Sequence, residues 1–172
     1  MKIFPCAVIL LFAFVGTAKS HPHINKTVSA SAQGARLKLT YFTLPYNAEH
    51  MSDIKEGFVF HCGRATLEIS GGIESQGINL VAGEYLVRAK ASSSDKWTLL
   101  LIPKSQAGST AQPDLSKAIS LESRSIKGQP ESHHLNLDLR SGHGRTHGSF
   151  ILLVTFGPRT VEGILSLPAP QA

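Results

Sequence analysis

Histidine is the residue type in this sequence that offers the most chemistry. The chain has eight histidines among its 172 residues, and the first of them is His21. Neutral imidazole is the commonest metal ligand in proteins, and it suits copper and zinc. The first hypothesis for a site is therefore a copper or zinc centre, whose composition depends on where the mature chain begins.

The N-terminus has the order of a secretory signal peptide. Lys2 is basic, the run Ile3–Val15 is apolar, and Ala18 and Ser20 are small. This order predicts removal of residues 1–20, with a cut after Ala18 as the alternative. Because the apolar run is too short to span a bilayer, we expect a mature protein without a stable membrane anchor, located in the periplasm or outside the cell.

Cleavage after residue 20 would make His21 the N-terminal residue. Its free amine and its ring nitrogen could then chelate copper together, in a brace that another histidine completes. Pro22 has no amide proton, so it blocks the amino-terminal copper motif that uses deprotonated backbone amides. The candidate further ligands are His23, His50 and His61, with His50 expected on a loop and His61 near a strand end. The alternative is that these histidines are solvated and bind nothing.

No complete catalytic motif is present. The sequence contains no nucleophile elbow, phosphate-binding glycine loop, dinucleotide fingerprint or paired-histidine protease helix. After removal of the signal, Cys62 is the remaining cysteine of the two in the chain, so no internal disulfide can form. We predict that Cys62 is a small buried residue, although Cys62 and Met51 are soft alternative ligands for reduced copper. No catalytic or cofactor-binding residue is assigned.

The charge of the chain argues against a nucleic acid partner. Loss of residues 1–20 removes Lys2, Lys19 and no acid, so the formal net charge falls from +5 to +3. The remaining Lys and Arg residues are scattered, whereas nucleic acid binding needs a basic stripe or a basic face with interleaved aromatics.

The hydrophobic pattern predicts an all-β protein. In the segment 36–43, Leu37, Leu39 and Tyr41 alternate with polar residues, which is the period of a half-buried strand. Similar runs, separated by turn-forming residues, occur at 27–31, 57–61, 65–70, 84–91, 97–102, 118–125, 135–139, 150–156 and 160–167. Many short strands with frequent turns predict an antiparallel β-sandwich, jelly-roll-like or barrel-like.

The length and composition predict one domain. Residues 21–167 are enough for a single core of ordinary size. The Gly, Ser and Pro-rich stretch 105–114 is expected to be a mobile loop inside that domain, and residues 168–172 a disordered tail. Tyr85 and Trp97 lie in strands of apolar alternation, where packing in the core is their ordinary role.

Two segments resemble a known bacterial family. Val81-Ala82-Gly83-Glu84-Tyr85, followed by Asp95-Lys96-Trp97-Thr98-Leu99-Leu100-Leu101, is similar to the strand pair of the exported family catalogued as Domain of Unknown Function 2911. The resemblance extends to the opening hairpin near His23 and Gly34 and to the closing strands. It implies a glycine turn, a strand, a polar loop and a second strand anchored by a buried Trp97.

Two functions remain open at this stage. The first is a non-catalytic module of the bacterial envelope that binds a small ligand or a partner protein. The second is a copper or zinc protein that uses His21 with His23, His50 or His61.

Overall fold

The computed structural model describes residues 23–52, 54–93 and 96–168. The predicted signal peptide, His21 and all of the predicted tail except its first residue lie outside the described residues. Within the described ranges, no helix has the length and hydropathy needed to cross a membrane.

The described chain forms two antiparallel sheets, as the sequence predicted. The elements are, in chain order, β1 (Asn25–Ala32), β2 (Ala35–Phe42), α1 (Ala48–Ser52), β3 (Val59–Phe60), β4 (Thr66–Ser70), β5 (Ile73–Ser75), β6 (Ile78–Leu80), β7 (Gly83–Ala91), β8 (Trp97–Pro103), β9 (Ile119–Ser120), β10 (Glu122–Ile126), β11 (Ser132–Ser141), β12 (Ser149–Gly157) and β13 (Arg159–Ser166). The first sheet has the order β1-β2-β4-β7-β8-β9, with β3 also on β7. The second has the order β11-β12-β13-β5-β6, with β10 also on β13.

The alternation predicted for β2 fixes which face of the first sheet meets the core. Leu37, Leu39 and Tyr41 are at most 1% exposed, whereas Arg36 and Lys38 on the other face are exposed. The same period orients β7, where Tyr85 and Val87 join the main core. The two sheets therefore enclose one core, and the other face of the first sheet is left for other contacts.

The hairpin implied by the family resemblance is present in the fold. Strands β7 and β8 are antiparallel neighbours, and Ala91 is opposite Trp97 at the end of the pair. Trp97 is 5% exposed and Tyr85 is 4% exposed, so both are core residues as predicted. This hairpin lies inside the first sheet, between β4 and β9.

The segment after β2 connects the two sheets. The backbone N–H of Tyr46 donates to the carbonyl of His133, and the N–H of Leu135 donates to the carbonyl of Leu44, both at 2.8 Å. The Tyr41 hydroxyl donates to Oδ1 of Asn136 on β11 at 3.0 Å. These hydrogen bonds join the end of β2 to the start of β11 and close one end of the sandwich.

Several predicted elements differ from the observed ones. The predicted strand 57–61 is only Val59–Phe60, because residues 62–64 turn away in left-handed backbone conformations. The predicted run 118–125 is two strands, one in each sheet, which separate at Leu121. Strands β5 and β6 were missed, and residues 48–52, expected as a loop, form the short helix α1.

Candidate functional site

A cleft lies on the face of the first sheet that points away from the main core. Its floor consists of outward-facing side chains from three adjacent strands: Phe42 of β2, Thr66 of β4, and Leu86 and Arg88 of β7. The cleft is partly open to solvent and has a volume of about 1090 Å³, near the upper end of the size range of small-molecule sites. The sheet thus supplies a rigid floor beneath a space large enough for a ligand.

The chain between β8 and β9 covers one side of this face. Ala107 packs with Leu86 and Ile102 in a second small hydrophobic cluster, separate from the main core. The N–H of Asp114 donates to the carbonyl of Ala107 at 3.0 Å and so closes the intervening loop. Residues 110–112, within the stretch 105–114 that was expected to be a mobile loop, line the cleft.

The turn after β3 forms another wall. Cys62, Gly63 and Arg64 all have positive φ angles, of 48°, 63° and 57°, which is rare for residues with a Cβ. A Cβ on Gly63 would overlap the Phe42 carbonyl oxygen, so the turn lies directly against β2. Such backbone strain persists only where the surrounding structure enforces it, and it concentrates at functional sites. Here it places His61 and Arg64 at the cleft.

His23 enters the cleft from the residues that precede β1. Its Nδ1 lies 3.0 Å from the Thr43 carbonyl oxygen, which can only accept, so Nδ1 carries the proton. Two further hydrogen bonds join Ile24 to Thr43. The Ile24 N–H donates to the Thr43 hydroxyl at 3.0 Å, and the Thr43 N–H donates to the Ile24 carbonyl at 2.9 Å. The ring is thereby oriented with Nε2 as the nitrogen that can accept a hydrogen bond or bind a metal.

Arg88 is the most buried charged residue of the cleft. It is 1% exposed, its Nη1 donates to the Val87 carbonyl at 2.8 Å, and its Nη2 donates to the Thr110 carbonyl at 2.7 Å. Its buried Nε has no hydrogen-bond partner, and none of the ion pairs among residues 23–52, 54–93 and 96–168 includes it. Burial lowers the pKa of the guanidinium, which remains protonated at neutral pH.

The nearby thiol supplies no countercharge. Burial raises the pKa of Cys62 to about 12, although Arg88 opposes this shift, so the thiol is neutral at physiological pH. Cys62 is 0% exposed, which confirms the prediction that it is a small buried residue. The pKa of the His61 ring is lowered, mainly by its partial burial and also by the positive charges of Arg88 and Arg64. The field at this end of the cleft is therefore positive.

The structure brings together two of the predicted metal ligands and separates a third. His23 and His61 line the same cleft, whereas His50 is on α1 and is not among its lining residues. His21, two residues before His23, lies outside the described residues. Within the part of the chain that the structure describes, no three His, Cys, Asp or Glu side chains are grouped closely enough to hold a metal ion.

The sequence analysis missed both arginines of the cleft, Arg64 on the turn and Arg88 on β7. Arg88 is the more buried of the two. It stands in the strand run Leu86-Val87-Arg88-Ala89, where Val87 and Ala89 face the core and Arg88 shares its outward face with Leu86. An outward Arg in a strand is ordinarily exposed, whereas this one is 1% exposed and is hydrogen-bonded to Thr110 of the loop after β8. The sequence signal for Arg88 was a single charged residue within an apolar strand. Without knowledge of the loop, this pattern does not distinguish a buried site residue from an exposed one.

Comparison with protein-family models, with curated proteins and with solved structures finds no match for this chain. The resemblance to the family of unknown function therefore stays a hypothesis, based on the residues given above.

Proposed function

We propose that this protein is an exported, non-catalytic binding module of the bacterial envelope, and that the cleft on the outward face of the first sheet is its ligand site. The single observation that supports this proposal is the buried Arg88 at the floor of a ligand-sized cleft, with an Nε that has no partner. Buried polar groups are nearly always hydrogen-bonded, and one that is not is accounted for when a ligand supplies the missing contact.

The composition of the cleft also supports a small ligand. Phe42 is 38% exposed and, with the partly buried Leu44, gives an apolar surface beside polar groups from His23, Thr66 and Gln112. Small-molecule sites combine an apolar lining with a few placed polar groups in this way. The lining comes from three strands of one sheet and from the loops that flank them, so the polar groups are held in fixed relative positions.

A screen of small molecules against the mature protein tests this function. A fragment panel balanced between neutral and anionic compounds, followed by two-dimensional NMR, should shift resonances of Thr66, Arg88 and Thr110. Ala111→Trp, which fills the rim of the cleft, should abolish those shifts, while Ala82→Trp, at an exposed position outside the cleft, should leave them unchanged. Hits that do not map to the cleft, or that survive Ala111→Trp, would refute the proposal.

Export is tested on the full chain expressed with its own N-terminus. The order of charged, apolar and small residues in 1–20 supports cleavage after Ser20, so intact mass of the exported protein should correspond to a chain that begins at His21. Retention of the full-length chain in the cytoplasm would contradict this part of the proposal.

A second candidate function is copper or zinc binding at the mature N-terminus. The observation in its favour is that His23 and His61 line one cleft, with Nδ1 of His23 hydrogen-bonded to the Thr43 carbonyl and His21 only two residues away in the sequence. Copper titration of the exported protein by calorimetry and electron paramagnetic resonance tests it. Binding that is lost in His21→Ala and His61→Ala but kept in His50→Ala would support a brace. Weak binding that survives all three changes would exclude it.

A further inference from the structure

Several basic side chains line the cleft. Arg88 is at the floor and Arg64 is on the strained turn, and the rings of His61 and His23 line the same space. No Asp or Glu of the described residues is among the lining residues. Lys104, also at the rim, is paired with Glu84 through a 2.8 Å contact. The positive charge without an ion-pair partner among the described residues is therefore that of Arg64 on the turn and Arg88 on β7.

No carboxylate of the described residues is paired with the buried Arg88, so its burial is energetically costly. Removing a cation from water costs several kcal/mol, and an opposite charge ordinarily compensates for it. The two carbonyl groups that accept from Arg88 offset part of this cost, but Nε has no partner. An anion bound in the cleft would supply the missing negative charge and a further acceptor for the guanidinium.

The lining of the cleft also includes apolar surface. Phe42 is 38% exposed, and Leu44 and Leu86 line the same space. An inorganic anion would leave this surface in contact with water. An anion that carries a compact apolar body would cover it and gain the free energy of burying apolar area.

We infer that the cleft binds a small organic oxyanion, with the negative group on Arg88 and Arg64 and the apolar body against Phe42 and Leu44. This inference rests on the proposed function, because it names the ligand class of the same site. A carboxylate, a phosphate monoester and a sulfate ester share the required chemistry, since each offers two oxygens to a guanidinium. The inference assigns Arg88 as the specificity-determining residue.

The experiment compares four probes that vary the charge, the anionic group and the apolar body in turn. Benzoate and neutral benzamide have the same size and ring, phenyl phosphate distinguishes a phosphate ester from a carboxylate, and inorganic phosphate lacks the apolar body. Each is titrated into the exported mature protein, and binding is followed by NMR through the arginine Nε–H resonances and the backbone amides. We expect benzoate or phenyl phosphate to shift Arg88 Nε–H, with benzamide and inorganic phosphate at least about tenfold weaker.

Two variants test the role assigned to the arginines. Arg88→Met should weaken binding of the organic anion about 10- to 100-fold, the range expected for lost hydrogen bonds to a charged group. Arg64→Met should weaken it about two- to fivefold, because Arg64 is exposed and its charge is screened. Arg140→Met removes the same charge from an exposed position on β11 and should leave binding unchanged. If Arg88→Met does not fold, Arg64→Met still tests the inference.

The outcomes separate this inference from the function on which it rests. Equal binding of benzamide and benzoate in the cleft, or benzoate binding that is unaffected by Arg64→Met and Arg88→Met, would overturn the anion inference and leave the ligand site intact. If no probe and no compound of the wider fragment panel shifts cleft resonances, both the inference and the proposed function are wrong.

Discussion

Replacing Gly63 by Ala tests whether the strained turn beside the cleft is held against β2 as described. Gly63 has a φ angle of 63°, and a Cβ there would overlap the carbonyl oxygen of Phe42 and lie 2.8 Å from Cδ2 of Leu135. The Phe42 carbonyl belongs to the backbone of a paired strand, so it cannot move without disturbing β2. Gly63→Ala must therefore shift either the turn or the strand.

The expected cost has two parts. A left-handed backbone costs an Ala residue about 1–2 kcal/mol, and overpacking of a close contact adds about 1–3 kcal/mol. Gly57→Ala is the matched control, because Gly57 also has a positive φ, of 85°, but no atom lies within 4 Å of the point that a Cβ would occupy there. We expect Gly63→Ala to lower the free energy of unfolding by about 2–5 kcal/mol, and Gly57→Ala by only about 1–2 kcal/mol.

Urea unfolding followed by fluorescence measures both values. Trp97 is the single tryptophan of the chain and is 5% exposed, so its emission reports unfolding of the core. Since both variants change Gly to Ala, the entropic effect on the unfolded chain is the same for each. A difference of less than about 0.5 kcal/mol between the two variants, which is within the spread of ordinary surface substitutions, would refute the tight contact between the turn and β2.

The other predictions concern one side chain each. Tyr41→Phe should lower the free energy of unfolding by about 0.5–1.5 kcal/mol in urea titrations, because it removes the 3.0 Å hydrogen bond to Asn136; an unchanged stability would show that this bond contributes nothing. Cys62, with its pKa raised to about 12 by burial, should not react with a thiol reagent at pH 8 until the protein unfolds; rapid labelling of the native protein would contradict its burial. Hydrogen bonds from Ser116 lower the pKa of Asp114, so its stabilising contribution should be present above the ordinary value of 3.8 and lost as pH falls through the lower folded value. A carboxyl titration by carbon NMR with a midpoint at or above 3.8 would be inconsistent with that hydrogen bonding.

The parts of the fold that followed from the sequence are those with a long, regular pattern. The alternation in 36–43 predicted which side chains of β2 enter the core, and the apolar run 150–156 predicted β12. The β5–β6 hairpin was missed because each strand has only three residues, too few to show a period. Its connection is a turn with positive φ at both Gln76 and Gly77, a conformation for which Gln is an uncommon choice.

The candidate site was harder to predict, because its members come from distant parts of the chain. His23 and His61 were identified by residue type, and their presence in one cleft depends on how β2 places its end beside the turn after β3. The position of the Arg88 guanidinium depends on its hydrogen bond to Thr110, which is 22 residues away in the sequence. No local pattern indicates that the loop after β8 folds back over β7.

Contacts between distant parts of the chain also explain why the predicted strand 57–61 was too long. The alternation of 57–61 suggested a strand that continues to His61, but the pattern does not reveal left-handed residues. The turn contains Gly63, which lies directly against β2, and Cys62 and Arg64 on either side of it also have positive φ. Such conformations of residues with a Cβ persist only where the surrounding structure enforces them.

A crystal structure of the exported protein with 4-bromobenzoate tests the central claim most directly. The anomalous signal of bromine locates the apolar end of the probe independently of the protein. We expect the carboxylate within hydrogen-bonding distance of the Arg88 guanidinium, and the bromine beside Phe42 and Leu44. A probe bound outside the cleft, or one bound in the cleft with its carboxylate turned away from Arg88, would contradict the account.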